Sequence, residues 1–318
     1  MDILITGGAG FIGSHLCESL INSDLVSKVI CIDDFNDFYD PKVKEKNIKA
    51  CLSSKKFRLY KADITSLADI ERIFKNEKID KIFHLAARAG VRASLQNPML
   101  YEEVNVKGTI NLLSLALKYG VKNFTFASSS SVYGANKKMP FSEDDNVDNP
   151  ISPYAITKRS AELMCKIYSR MYGLNVTCFR FFTVYGPRGR PDMAPYKFTK
   201  LISEGKPIDI YGDGSSKRDY TYISDIIEAL MKSLEKDFRF EIINLGNSKP
   251  VELRRLIALI EKNLGRKARI NKMKKQPGEV DVTYADITKA KKLLGYKPKT
   301  RIEEGIAKFV EWFKHQRL

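Results

Sequence analysis

A glycine-rich segment, TGGAGFIGSH, follows the first apolar run of the chain and precedes a helical pattern. Its Gly7, Gly10 and Gly13 have the spacing G-x-x-G-x-x-G, which permits a tight turn and lets a pyrophosphate approach the free N–H groups of a helix N-terminus. Three glycines alone are weak evidence, but these occupy the strand–turn–helix context that the chemistry requires. The segment therefore predicts a dinucleotide-binding βαβ unit.

Strands and helices are predicted to alternate through the first half of the chain. Short apolar runs predict strands at 3–6, 28–33, 57–63, 81–86, 124–129 and 176–182. Apolar residues at three- and four-residue spacing predict helices at 11–22, 66–76, 98–119 and 152–172. Such alternation is typical of an α/β fold with a doubly wound, parallel, Rossmann-type sheet.

After about residue 185 the pattern loosens into segments punctuated by Pro and Gly, with helices predicted at 251–264 and 301–316. We therefore expect two domains. The dinucleotide-binding domain is predicted to cover 1–184, with a returning segment at about 217–246. The smaller α/β substrate-binding domain is predicted to combine 185–216 and 247–318.

Asp33 ends the second predicted strand, twenty residues after Gly13. A carboxylate at this position can accept hydrogen bonds from a ribose diol and would repel a 2′-phosphate, so NAD is favoured over NADP. Asp34 could share the role. The alternative is a structural glycine turn followed by a helix-capping Asp.

A second constellation is Tyr154-Ala-Ile-Thr-Lys158, preceded by Ser129 at the end of the fifth predicted strand. Residues four apart share one helix face, so the Lys158 ammonium can favour the ionised form of the Tyr154 phenol. A tyrosinate is a suitable general base at neutral pH. Surface packing is the alternative, but the upstream dinucleotide loop favours a catalytic Tyr154, Lys158 and Ser129.

The net charge of +16 raises the question of a nucleic-acid partner. Basic residues such as Lys42, Lys44, Lys46 and Lys49 are spread over many predicted helices, without the interleaved aromatic residues of an RNA-binding module. We interpret them as a solvated surface and predict no nucleic-acid partner.

The five cysteines lack C-x-x-C spacing, so we predict neither disulfides nor a metal. No apolar run has membrane-spanning length, and we expect a cytoplasmic protein with no membrane partner.

An ordered set of motifs now carries a family resemblance: TGGAGFIG, Asp33, KADI, HLAA, SSSSVYG, YAITK and RDYTYISD. Together they resemble extended short-chain dehydrogenases that act on nucleotide sugars, almost from end to end of the chain. The resemblance implies NAD, and a cofactor site formed by Gly7, Gly10, Phe11, Ile12, Gly13, Asp33, Asp63, Ile64, Ala86, Ala87, Asn105 and Lys158. For Asp63 a strand-end turn remains an alternative, and for Asn105 a buried hydrogen bond between helices.

The residues after Ser129 indicate the branch of this family. Nucleotide-sugar 4,6-dehydratases have an Asp-Glu pair here and UDP-glucuronate decarboxylases usually have a Glu, whereas this chain has Ser130 and Ser131. The resemblance therefore favours simple oxidation and reduction at one carbon, as in C4 epimerases. Thr183 within FFTVYGPRGRPDM and Gln276 within QPGEV resemble the UDP-glucuronate 4-epimerase branch. UDP-glucose and N-acetylhexosamine epimerases remain alternatives.

Substrate contacts follow from the same resemblance. Arg218 is expected to bind the diphosphate of a UDP-sugar, and short hydroxyl side chains are expected to hold the sugar carboxylate. The full set of expected substrate residues is Arg92, Ser130, Ser131, Phe182, Thr183, Arg190, Arg218 and Gln276. For Arg92 and Arg190 a bracing ion pair is an equal alternative, and for the serines and Thr183 ordinary strand-end hydrogen bonding.

A homodimer is implied by the resemblance, because the helices around 98–119 and 152–172 look like those that pair into a four-helix interface in relatives. A hypothesis of another class is a non-catalytic protein that senses NAD or binds nucleic acid. The joint presence of Tyr154, Lys158 and Ser129 argues against it.

Overall fold

The computed structural model describes residues 1–274 and 280–316 and confirms the predicted fold class. Its main sheet has seven strands, which run β10–β6–β5–β4–β1–β2–β3 across the sheet. The strands are β1 (Asp2–Thr6), β2 (Lys28–Asp33), β3 (Phe57–Lys61), β4 (Lys81–His84), β5 (Asn123–Ser129), β6 (Asn175–Phe181) and β10 (Phe240–Leu245). All pairs from β6 to β3 are parallel, so their carboxyl ends meet at one edge. The winding reverses between β1 and β4, where such sheets bind ligands.

Helices connect these strands. They are α1 (Phe11–Ile21), α2 (Pro41–Ile48), α3 (Leu67–Asn76), α4 (Val91–Gln96), α5 (Pro98–Glu102), α6 (Gly108–Lys118) and α7 (Pro153–Tyr172). The helix expected at 98–119 is confirmed as an unbroken helical run over 98–118, in which a π-helical turn at Glu103–Lys107 joins α5 to α6. Helix α2 was not predicted, although Asp40 caps it and Pro41 occupies its first turn, which are ordinary start signals.

The strands at the centre of this sheet are buried on both faces. Ile3, Leu4 and Ile5 of β1 have no exposed surface, nor do Val29 and Ile30 of β2. Helices on both sides exclude water from these residues, which explains why the strands read as continuous apolar runs rather than as alternating ones.

Later residues build two smaller sheets. The remaining strands are β7 (Thr183–Tyr185), β8 (Pro207–Tyr211), β9 (Lys217–Tyr222), β11 (Pro250–Glu252), β12 (Arg269–Met273) and β13 (Val282–Thr283). Strand β9 pairs with β7, β11 and β13, and β8 pairs with β12. The remaining helices are α8 (Ala194–Ser203), α9 (Ile223–Lys232), α10 (Leu253–Leu264), α11 (Thr288–Leu294) and α12 (Ile302–His315).

Two compact units result. The first unit combines Met1–Asn136, Asp145–Phe181 and Leu230–Ile243, and the second unit combines Lys137–Asp144, Phe182–Ala229 and Asn244–Leu318. The segment that returns to the first unit is shorter than the expected 217–246, because β9 pairs with strands of the second unit. Within the described residues, no helix combines the length and the apolar character that crossing a bilayer would require.

Candidate active site

The glycine loop joins β1 to α1 at the edge where the strand carboxyl ends meet. A Cβ on Gly13 would lie 2.2 Å from the Gly7 carbonyl oxygen, and one on Gly7, whose φ is +70°, would lie 2.7 Å from the Ala86 nitrogen. At Gly10 the nearest atom would be 3.1 Å away. Gly7 and Gly13 therefore permit close packing within the protein. Gly10 instead leaves the outer surface of the loop without a side chain.

Gly10 is also the N-cap of α1, and as a glycine it has no side chain with which to cap this helix end. The first-turn N–H groups of Phe11, Ile12 and Gly13 are thus oriented as a phosphate-binding helix start requires. The bare backbone at Gly10, beside the first-turn N–H groups of α1, fits the pyrophosphate of a dinucleotide.

Asp33 lies beside this loop, buried at the end of β2. Its Oδ2 accepts from the Ala9 N–H at 3.0 Å and its Oδ1 accepts from the Phe35 N–H at 2.9 Å. Burial raises the pKa of the Asp33 carboxyl, while Lys44 Nζ, 3.5 Å away, acts in the opposite direction. The carboxylate therefore braces the loop, and its remaining lone pairs are available to a ribose diol.

Two residues of α2 support this corner and were missed at the sequence level. Lys44 is buried between Asp33 and Asp34, so its interpretation as part of a solvated surface was wrong. Asn47 donates to the Ala9 carbonyl oxygen at 3.1 Å. Lys44 and Asn47 are three residues apart and therefore share one face of α2, but this spacing alone does not distinguish a buried lysine from an exposed one.

The YAITK residues lie on the first two turns of α7, which packs against β5. Lys158 is buried, and its Nζ donates to the Ala127 carbonyl oxygen at 2.8 Å and lies 4.8 Å from the Phe126 ring centroid. Burial lowers the pKa of Lys158 to about 7. Tyr154 is half-buried, with its ring 6.1 Å from that of Tyr101 in an edge-to-face arrangement.

Ser129 ends β5 and caps the 3-10 turn Ser130–Tyr133. Its Oγ accepts from the Ser131 N–H at 3.2 Å and donates to the Ser131 hydroxyl at 3.1 Å. Ser129, Ser130 and Ser131 are all half-buried. The strand-end hydrogen bonding that was the alternative for Ser131 is therefore present, and the hydroxyls can still rotate toward a ligand.

A buried ion pair lies one turn beyond Lys158. Glu162 accepts from Arg180 Nε at 2.8 Å and Arg180 Nη2 at 2.9 Å, and from Ser128 Oγ at 2.6 Å. Although burial opposes ionisation, hydrogen bonds from Arg180 and Ser128 leave the pKa of Glu162 below its ordinary value. The pair joins α7, β5 and β6 behind the serines, and sequence motifs gave no indication of it.

His84 forms the centre of a second buried network. Thr109 Oγ1 donates to the Asn105 carbonyl oxygen, so it must accept at 2.9 Å from Nε2–H of His84. Nδ1 then accepts from Thr6 Oγ1 at 2.7 Å, and Thr6 Oγ1 in turn accepts from the Ala86 N–H at 3.3 Å. Burial lowers the pKa of His84 to about 3. A neutral imidazole thus fixes the backbone at Ala86.

The other expected cofactor residues are placed by similar contacts. Asn105 bonds the Arg88 N–H at 2.8 Å and Thr157 Oγ1 at 3.1 Å, the inter-element bond that was its alternative role. Asp63 accepts from the Thr65 N–H at 2.8 Å, as a strand-end turn residue does. The Ile64 carbonyl oxygen accepts from Asn111 at 2.9 Å. Ala87, like Ala86, is half-buried after β4.

The expected substrate residues fall in both units. In the first, Arg92 is exposed on α4. In the second, Phe182 is buried, Thr183 begins β7, and Arg218 on β9 donates to the Lys217 carbonyl oxygen at 2.9 Å.

Arg190 pairs with Asp192, its Nε donating to Oδ1 at 3.0 Å, which is the bracing ion pair considered as its alternative. Gln276 lies outside the described residues. A substrate role stays a prediction for each of these residues.

Known proteins resemble the chain over nearly all of its length. A family model described as GDP-mannose 4,6 dehydratase matches residues 4–309. UDP-glucuronate 4-epimerase of Thermodesulfobacterium geofontis is 46% identical over 98% of this chain and 95% of its own. A crystal structure of UDP-glucuronic acid 4-epimerase from Bacillus cereus with UDP-glucuronic acid and NAD has a TM-score of 0.93 and 37% identity, over 99% of this chain and 100% of that one. UDP-glucose 4-epimerase of Thermotoga maritima with UDP-glucose has a TM-score of 0.91 and 34% identity, over 100% of both chains.

Proposed function

The chain belongs to the GDP-mannose 4,6 dehydratase family, and from this we propose that it is an NAD-dependent nucleotide-sugar 4-epimerase that interconverts UDP-glucuronate and UDP-galacturonate. The observation that carries the proposal is the hydroxyl-rich turn Ser129–Ser131 at the end of β5, next to the helix of Tyr154 and Lys158. A dehydratase needs an acid and a base at this turn, whereas an epimerase needs only one base. The epimerase relatives agree with this choice.

The proposed chemistry begins with the ionised Tyr154, whose phenolate oxygen takes the proton of the C4 hydroxyl group and becomes a phenol. Burial lowers the pKa of Lys158 to about 7 and so destabilises its ammonium form. A neighbouring anion would stabilise this ammonium form. An ionised Tyr154, four residues earlier on the same helix face, is such an anion. Ser129 can turn its hydroxyl from Ser131 to the C4 oxygen as that oxygen becomes a carbonyl. NAD, when bound, accepts the hydride from C4 and later returns it.

The sugar carboxylate is proposed to meet Ser130, Ser131 and Thr183, which offer short neutral donors. Oxidation at C4 creates a β-keto acid, which tends to lose carbon dioxide. A carboxylate held near the plane of the C4 carbonyl keeps the breaking bond poorly aligned for that loss. Epimerisation without decarboxylation is therefore the expected outcome.

The test is a comparison of UDP-sugars with the wild-type protein, with products separated by chromatography and identified by NMR. We expect UDP-glucuronate to give its C4 epimer with a kcat/KM at least tenfold above those of UDP-glucose and UDP-N-acetylglucosamine, and with little UDP-pentose. A better turnover of UDP-glucose would refute the substrate and leave the epimerase assignment. An accumulating pentose would refute the argument from the serine turn.

We also propose a cytoplasmic homodimer without a nucleic-acid or membrane partner. Support for the dimer comes from α7, whose outer face exposes Ile156, Leu163, Ile167 and Met171 in addition to its buried face. Contiguous exposed apolar side chains mark contact surfaces, and a second copy of the same helix presents a matching stripe. Elution from heparin at low salt would support a solvated basic surface over a nucleic-acid site.

A further inference from the structure

Arg88 lies just after β4, in the segment that follows HLAA. Its backbone is held from both sides by Asn105, whose Oδ1 accepts from the Arg88 N–H at 2.8 Å and whose Nδ2 donates to the Arg88 carbonyl oxygen at 3.0 Å. The start of this side chain is therefore fixed by a buried amide. Neither the sequence motifs nor the proposed catalytic steps use it.

The guanidinium of Arg88 reaches a different strand end. Its Nη1 donates to Asn36 Oδ1 at 3.0 Å, and Asn36 follows β2. Asn36 is itself oriented by Asp34, which accepts from its side-chain amide at 2.6 Å. The arginine thus connects the segments that follow β4 and β2.

This connection has a geometric consequence. Strand β1 lies between β4 and β2, and neighbouring strands are about 4.8 Å apart, so the two connected strand ends are separated by about 10 Å. Arg88 lies four residues beyond the end of β4 and Asn36 three residues beyond the end of β2, so their hydrogen bond spans the carboxyl edge of the sheet at which β1 leads into the glycine loop Gly7–Gly13. The contact therefore holds a positive charge at the edge of the sheet where the glycine loop begins and where the pyrophosphate is expected to bind.

Within the described residues, the guanidinium of Arg88 has hydrogen-bond donors that no protein group uses. No carboxylate pairs with it within the described residues, and its buried Nε has no hydrogen-bond partner there. A partly buried guanidinium with unused donors is favourable only if an anion meets it, and a guanidinium fork suits phosphate oxygens. The ligand expected beside it carries two phosphate charges.

We propose that Arg88 clamps the pyrophosphate of the bound dinucleotide from the side opposite the N-terminus of α1. The clamp rests on the proposed function only in that NAD is the ligand. The cofactor charge then lies between the first-turn N–H groups of α1 and the guanidinium, with Asn36 and Asn105 holding Arg88 in place. The diphosphate of the nucleotide sugar is the other anion that such an arginine could meet.

Titration calorimetry on protein freed of nucleotide separates these cases, with adenosine, ADP, NAD and UDP as ligands. In Arg88→Gln, which keeps an amide donor for Asn36, we expect at least tenfold weaker binding of ADP and NAD and less than twofold change for adenosine. Arg88→Lys should bind ADP and NAD with an affinity between those of Arg88→Gln and the wild type. Lys107→Gln, which removes an exposed cation of the same unit, is the matched control and should match wild type.

Three results would overturn the clamp. If Arg88→Gln weakened the binding of adenosine as much as that of ADP, Arg88 would act by holding the loop after β2. If ADP binding did not change, the guanidinium would not contact the cofactor phosphates. If Arg88→Gln weakened only the binding of UDP, the arginine would contact the diphosphate of the substrate. A wild-type protein that bound no NAD would instead refute the proposed function itself.

Discussion

At the scale of single residues, Tyr154 is the side chain on which the proposed chemistry depends most directly. Tyr154→Phe removes the proton acceptor and leaves the glycine loop and Asp33 unchanged. We expect turnover to be abolished while NAD binding stays within about twofold of wild type, measured by product formation and by calorimetry. Lys158→Ala should weaken both, since Lys158 is expected to contact the nicotinamide ribose as well.

The decisive comparison is the residual rate of Tyr154→Phe. A variant that kept more than about a tenth of the wild-type kcat would have lost less than about 1.4 kcal/mol of transition-state stabilisation. Another group would then have to be the principal base.

Residues within local motifs could be predicted from the sequence, and residues that act through distant pairing could not. Gly7, Gly13 and Asp33 follow from spacing because one strand–turn–helix unit fixes their positions. The Glu162–Arg180 pair depends on the contact of α7 with β6, which no local spacing encodes. Lys44 was misread because an exposed and a buried lysine have the same sequence pattern until the partner carboxylates are placed.

At the scale of elements, α7 has two roles. One face contributes Tyr154, Lys158 and Glu162 to the site, and the outer face exposes apolar residues. Leu163→Glu should convert the proposed dimer to a monomer, because it introduces a charge into the centre of the apolar stripe. Light scattering coupled to size-exclusion chromatography measures the mass.

Leu67→Glu is the matched control. Leu67 and Leu163 are both 46% exposed, but Leu67 lies at the start of α3, where a carboxylate is well tolerated. It should leave the mass unchanged. A wild-type protein that is monomeric at micromolar concentration would contradict the dimer, whatever the behaviour of the variants.

Long periodic helices could be predicted from the sequence, but the geometry of individual turns within them could not. The 20 residues of α7 carry a regular apolar face, and its start is given by Ser152 and Pro153. The helix expected at 98–119 is also present, but it contains a wider π-helical turn at Glu103–Lys107. This turn directs Asn105 at both Arg88 and Thr157, a tertiary requirement that helical periodicity does not report.

At the scale of the whole molecule, His84 couples folding stability to pH. The pKa of its imidazole is lowered to about 3 in the folded protein, from an ordinary value of 6.5. Between these values the unfolded chain binds a proton that the folded chain excludes, so stability falls as pH decreases from 6.5 towards 3. This one group should contribute a slope of about 1.4 kcal/mol per pH unit.

Urea unfolding of wild type and His84→Gln at several pH values tests this contribution. The glutamine can keep one donor and one acceptor for Thr109 and Thr6, so the variant should fold, with a shallower slope below pH 6.5. His315→Gln replaces an exposed histidine and should keep the wild-type slope. Parallel slopes for His84→Gln and wild type would show that His84 does not exclude the proton.

The division of the chain into interleaved segments also has a consequence during synthesis. Strand β6 gains its outer neighbour, β10, only after the Phe182–Ala229 segment of the second unit has been made. At about 5–20 residues per second, the outer edge of β6 waits roughly 3–12 s on the ribosome for its partner. An open sheet edge is a template for pairing with another chain. The nascent chain is therefore most prone to misassembly with neighbouring chains on a polysome during one interval. This interval begins when β6 has been made and ends when β10 pairs with it.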